Sequence, residues 1–120
     1  MKKLLLALAG ASLIAAGTMA HAADIAAGKL AFQQHNCASC HGADAKSPTS
    51  PAYPILAGQH ADYIAHALHA YQRGQSGAPA TANIRKNPIM GAMAMTLKGS
   101  DIDNIAAWVS SLPSPLSNDK

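Results

Sequence analysis

Large aromatic side chains are scarce in this chain, which holds one Phe, one Trp and three Tyr in 120 residues. Such rings bury roughly 150–250 Å² each and dominate most small cores. A domain with five of them is poorly equipped to close a core by itself. Charge is sparse as well. Nine Lys and Arg face six acidic residues, and Lys2 and Lys3 stand at the extreme N terminus. Without those two, residues 23–120 carry seven cations and six anions, a net +1. The basic pI is then a property of the first residues, and it gives no footing for nucleic acid or an anionic membrane as a partner. There is no internal repeat, no strand-like alternation and no long low-complexity tail.

A long apolar run is missing too. Leu4–Ala16 is apolar but short and rich in Ala and Gly, against the ~20 residues that a spanning helix needs. With Met1-Lys2-Lys3 before it and Ala20-His21-Ala22 after it, residues 1–22 read as a signal peptide cleaved after Ala22. An uncleaved anchor is the alternative. Residues 23–120 are expected to form one soluble, exported domain without stable membrane insertion.

Cysteine is limited to two residues, and they stand in Cys37-Ala38-Ser39-Cys40-His41. In C-x-x-C-H the spacing lets two thiols add across the two vinyl groups of one haem, while the adjacent imidazole reaches the iron. The motif therefore predicts one covalently bound haem c, with Cys37 and Cys40 as attachment points and His41 as proximal iron ligand. Two other readings compete. A redox dithiol wants a βαβ setting, and the residues before the motif look helical. A structural zinc site needs four convergent ligands, and the remaining histidines, His35, His60, His66 and His69, stand at no finger-like spacing. A buried haem also accounts for the few aromatics, because the cofactor supplies apolar contact. Its two propionates bring the net charge to about −1.

The periodicity predicts helix, haem loop, helix, loop, helix. Asp24 caps a first helix through Ile25, Lys29, Leu30 and Phe32. Pro48, Pro51 and Pro54 forbid regular helix after the motif. A second helix is expected over residues 60–73, with Tyr63, Ile64, Ala67, Leu68 and Tyr71 on one face, stopped by Gly74 and Gly77. A loop over residues 75–98 carries Met90, Met93 and Met95. Ser100 with Asp103 looks like a capping box for a last helix with the stripe Ile102, Ile105, Ala106, Val109 and Leu112.

The order of Gly28 and Phe32, then C-A-S-C-H-G, then Pro54-Ile-Leu-Ala-Gly-Gln, a Met-bearing loop and Ile105-Ala-Ala-Trp-Val-Ser-Ser-Leu resembles the class I cytochromes c. It looks most like the small periplasmic cytochromes c553 and a single-haem cytochrome c4 domain. The resemblance implies an all-α fold whose first and last helices cross and enclose the haem, with Gly28 at the close contact and Phe32 and Trp108 packed there. One departure is that Phe32 stands five residues before Cys37, where the family usually has four. The resemblance further implies a proline carbonyl, that of Pro54, accepting from the His41 ring, and Leu56 as apolar wall beside the porphyrin.

A thioether raises the potential and closes the sixth position, and three methionines are available for it. The family's ligand lies seven residues before the Leu that precedes the last helix, which selects Met90 over Met93 and Met95. His66 and His69 read as a solvated helix face. Arg73, Arg85 and Lys86 stay open between propionate contact, partner contact and plain solvation. The expected function is a periplasmic electron carrier with transient protein donor and acceptor, and no catalytic residues. The alternatives are a haem-bearing subunit of a larger oxidoreductase complex, or a haem enzyme or gas sensor with a vacated distal site. Near-neutral charge points to docking through small and apolar residues, Met90 to Met95 and the surroundings of Ala38, with weak dependence on salt.

Overall fold

The computed structural model describes residues 22–114, so the expected leader lies outside the described residues save for Ala22. Helices α1 (Ile25–Gln34), α2 (Ala38–His41), α3 (Ala61–Gln75), α4 (Pro88–Met95) and α5 (Gly99–Ser111) make up the architecture, with a 3-10 turn at Ala80–Ala82 and no strand among the described residues.

Helix α1 starts where Asp24 Oδ1 accepts from the Ala27 amide at 3.0 Å, filling one of the orphan donors of the first turn. The Asp24 amide in turn donates to Asn104 Oδ1 on α5 at 2.8 Å. The two helices meet at Gly28, where an added Cβ would lie 1.9 Å from the Asn104 carbonyl oxygen. Only glycine lets the backbones approach so closely. One turn on, the Phe32 and Trp108 rings lie 4.9 Å apart at 54°, the tilted arrangement that aromatic quadrupoles favour. Ile102, Ile105, Ala106 and Val109 bury the expected stripe of α5 around them.

The five-residue spacing from Phe32 to Cys37 has a local cause. Asn36 adopts φ 61°, the Cys37 amide donates to Phe32 O, and the Asn36 amide donates to Gln33 O, both at 3.1 Å. This double closure ends a helix on a left-handed residue, a conformation Asn tolerates. The attachment motif then begins at once, with Ala38–His41 as a single helical turn.

Three elements depart from the sequence expectation. Helix α3 starts at Ala61 with His60 as its cap residue and runs through Gly74 to Gln75, two residues beyond the expected end. The expected loop over residues 75–98 contains α4. Asn87 Oδ1 accepts from the amides of Ile89 and Met90, both at 3.0 Å, and Pro88 occupies the first helical position, where its missing N–H is no loss. Helix α5 begins at Gly99, and its box is formed by Asp101, whose Oδ2 accepts from the Lys98 amide at 2.9 Å. Ser100 and Asp103 remain exposed; with no Ser, Thr, Asp or Asn at the cap position, the acid three residues on reaches back instead.

Candidate cofactor site

A cavity of about 730 Å³ opens between α2, the segment after it, α3, α4 and α5, a size within the range of cofactor sites. The motif turn brings Cys37, Cys40 and His41 onto its wall. His41 is 5% exposed, and its Nδ1 lies 2.9 Å from the Pro54 carbonyl oxygen. A carbonyl only accepts, so Nδ1 is the donor in this bond and Nε2 is the nitrogen left to face a ligand. The loop fixes that carbonyl: the amides of Leu56 and Ala57 both donate to Ala45 O, at 2.8 and 2.9 Å. Leu56 itself lines the cavity.

Both cysteines are free thiols. Burial, more than the neighbouring Cys40, pushes the Cys37 thiol up to about 11. A redox dithiol depends on a lowered thiol pKa, so this environment runs against that reading. Among the described residues no three His, Cys or acidic side chains converge as a metal-binding group, and the scattered histidines have other company. His66 is exposed, His69 Nδ1 lies 3.2 Å from Gln72 Oε1, and His35 sits between Thr96 Oγ1 at 3.1 Å and Asp101 Oδ2 at 3.5 Å.

Met90 and Met93 both line the cavity. Their i, i+3 spacing on α4 puts them on one face, while Met95 is 50% exposed and off the cavity wall. The side chain that ties α4 down is one the sequence reading passed over. Gln72 Nε2, on α3, donates to Ala94 O at 2.9 Å and Leu97 O at 3.1 Å. No local pattern announces this contact, because its partners are more than twenty residues away.

All three tyrosines line the cavity, as do Ile64, Ala67 and Leu68 from the expected face of α3. Arg85 joins them, its Nη2 donating to Tyr63 Oη at 3.0 Å; this bond, then the one to Tyr71, raises its pKa further above the ordinary value. Arg73 instead donates to Asn83 O from Nε at 3.2 Å and Nη2 at 2.8 Å. At the rim, Ile55 and Ile89 are 37% and 57% exposed, whereas Ala38 packs against the core.

A family model for cytochrome c matches residues 25–113. The chain belongs to the cytochrome c family. It is 36% identical over 85 residues to cytochrome c4 of Azotobacter vinelandii, covering 71% of this chain and 38% of that one. It is 34% identical over 98 residues to cytochrome c-554(547) of Halothiobacillus neapolitanus, covering 76% and 99%. The crystal structure of reduced recombinant cytochrome c4 from Pseudomonas stutzeri superposes with TM-score 0.66 at 34% identity, over 77% of this chain and 47% of that one. This cytochrome thus spans less than half of the cytochromes c4 it matches and nearly all of a shorter relative. The match supports the class I fold, and the family's cofactor is haem c, bound covalently. The residues fit that group: two free thiols and a buried imidazole whose Nε2 is not engaged by the Pro54 carbonyl share one predominantly apolar cavity. No helix among the described residues is long and apolar enough to cross a membrane.

Proposed function

We propose that this cytochrome is a soluble periplasmic carrier, exported on a cleavable leader over residues 1–22, that passes single electrons between protein partners. Bound haem supplies the one-electron iron couple. In this reading Cys37 and Cys40 hold the haem through thioether bonds, His41 is the proximal ligand, and Pro54 and Leu56 shape its surroundings. Met90 is the distal ligand, with Met93 as the alternative. The observation that carries the reading is the 2.9 Å bond from His41 Nδ1 to Pro54 O, because it orients the ring and raises the basicity of the nitrogen left for iron. Gln72 and the Asn87 cap hold α4 as a fixed wall, so the distal sulfur is presented with little rearrangement. A closed sixth position favours a carrier over an enzyme or gas sensor.

Partners would dock at the rim, where Ile55 and Ile89 offer exposed apolar surface and the near-neutral charge gives little long-range steering. The shorter relative, covered over 99% of its length, favours a free carrier. A unit of a larger oxidoreductase complex is the second reading, favoured by the longer cytochromes c4, of which 38% is matched in one case. Acid–acetone extraction tests the attachment. The haem is expected to stay on the polypeptide, and complete release from the wild-type protein overturns the assignment.

A further inference from the structure

Helix α4, which carries both candidate sulfurs, ends at a junction where three helix termini meet. Thr96 is the cap residue at its C-terminal end, and the Thr96 hydroxyl donates to Met93 O at 2.7 Å. A hydroxyl has one proton to give, so toward His35 the same oxygen accepts: Nδ1 of that ring lies 3.1 Å away and is the donor in the contact. His35 is itself the cap residue that ends α1. Its Nε2 faces Asp101 Oδ2 at 3.5 Å, an ion pair when the ring is charged, and the same carboxylate oxygen accepts from the Lys98 amide at the start of α5. The charges suit their places. Two helix C termini, each partly negative, flank the imidazole, and a helix N terminus, partly positive, holds the carboxylate. None of the three side chains lines the cavity.

We propose that His35, Thr96 and Asp101 form a staple that positions α4, and with it the distal sulfur, relative to the attachment motif. The inference rests on the haem reading above. The main packing partner of α4 is α3, from which Gln72 donates to the carbonyls of Ala94 and Leu97. Those bonds hold one flank. Thr96 and His35 hold the other, and they join it to the chain two residues ahead of Cys37, whose thiol faces His35 O at 3.9 Å. The proximal attachment and the distal wall thus share a connection that bypasses the cavity. Met93 O, on which the staple closes, lies in the helical turn that follows Met90, so fixing that end limits where the turn can move. When the staple is lost, α4 keeps its Asn87 cap and its packing on α3 but moves more freely away from the motif. An outside ligand then takes the sixth position more easily.

Cyanide affinity of the oxidised haem-loaded protein tests this, because an added ligand competes with the sulfur for iron. Thr96→Val and His35→Phe should each tighten apparent cyanide binding by about two- to tenfold, the factor that one net hydrogen bond corresponds to. The double variant should gain no more than the stronger single, because both remove the same contact. Thr96→Ser keeps the hydroxyl and should stay within about twofold of wild type. Asp101→Asn should tighten binding by less, and Asp103→Asn, which removes the same charge from an exposed position on α5, should leave it unchanged. Ile102→Val trims the buried core of α5 away from the cavity and separates positioning from general weakening: stability falls and cyanide affinity holds. Wild-type affinity in Thr96→Val or His35→Phe, effects that multiply in the double variant, or a rise reproduced by Ile102→Val overturns the proposal. Should Thr96→Val and His35→Phe fail to take up haem, Asp101→Asn against Asp103→Asn decides it by the same criterion. The sulfur-to-iron absorption band keeps the two readings apart, since its absence from wild type overturns Met ligation alone. Amide exchange then decides the staple: Thr96→Val should speed it about two- to tenfold in α4 while the middle of α5 stays protected, and unchanged exchange in α4 overturns the staple as well.

Discussion

Two regions of this molecule solve the packing problem in opposite ways. Where α1 meets α5, protein packs on protein: the backbones touch at Gly28, Phe32 meets Trp108 at a tilt of 54°, and Ile102 and Val109 are 0% exposed. Where α3 and α4 face α2, the apolar side chains converge on a space of about 730 Å³ instead of on each other. The few aromatics follow the same lines, with Trp108 at the helix crossing, Phe32 shared between that crossing and the cavity wall, and all three Tyr on the wall. A chain poor in rings thus builds one contact from protein alone, and the cofactor completes the second half of its core.

The largest expected effect separates the two halves. In the double variant Cys37→Ser/Cys40→Ser, made without haem, amide exchange in α3 and α4 should rise toward unprotected rates. Exchange in α1 and α5 should rise much less, since their mutual contact needs no cofactor. Equal loss of protection in all four helices would erase the distinction. A smaller effect is expected from Phe32→Ala in the haem-loaded protein. It should cost about 3–5 kcal/mol in denaturant unfolding, with the sulfur-to-iron band retained, because the larger loss falls on the contact with Trp108 although Phe32 also lines the cavity. The smallest concerns α4, whose Asn87 side chain caps two amides. Asn87→Ala should cost about 1 kcal/mol and weaken the sulfur-to-iron band without removing it; unchanged stability and spectrum would mean that the cap does not support the distal wall.

The same division governs what could be read from the chain. The α1–α5 crossing was legible because its signals are local: an Asp cap, a glycine, an aromatic and an apolar stripe with helical period. The proximal side was legible too, since the motif and the Pro54 pattern are each contiguous. The distal wall was not. Pro88 reads as a breaker until it is seen directly after an Asn cap, where it starts a helix. Gly74 reads as a stop until the carbonyl of Arg85, eleven residues on, is found against it. Gln72 and Arg85 act through long-range contacts, which no local period encodes. The reading of His66 and His69 as a solvated helix face fits His66, which is exposed, while His69 is half-buried beside Gln72.

The central claim is that the cavity is closed on iron by one particular sulfur, and the geometry leaves two candidates on one face of α4. The visible spectrum of oxidised haem-loaded Met90→Ala and Met93→Ala, recorded with and without cyanide, tests it most directly. Met90→Ala should lose the weak sulfur-to-iron band and bind cyanide readily, while Met93→Ala keeps the band and resists cyanide. Loss of the band in Met93→Ala with retention in Met90→Ala would contradict the assignment, and a band absent from the wild type would contradict the six-coordinate carrier itself.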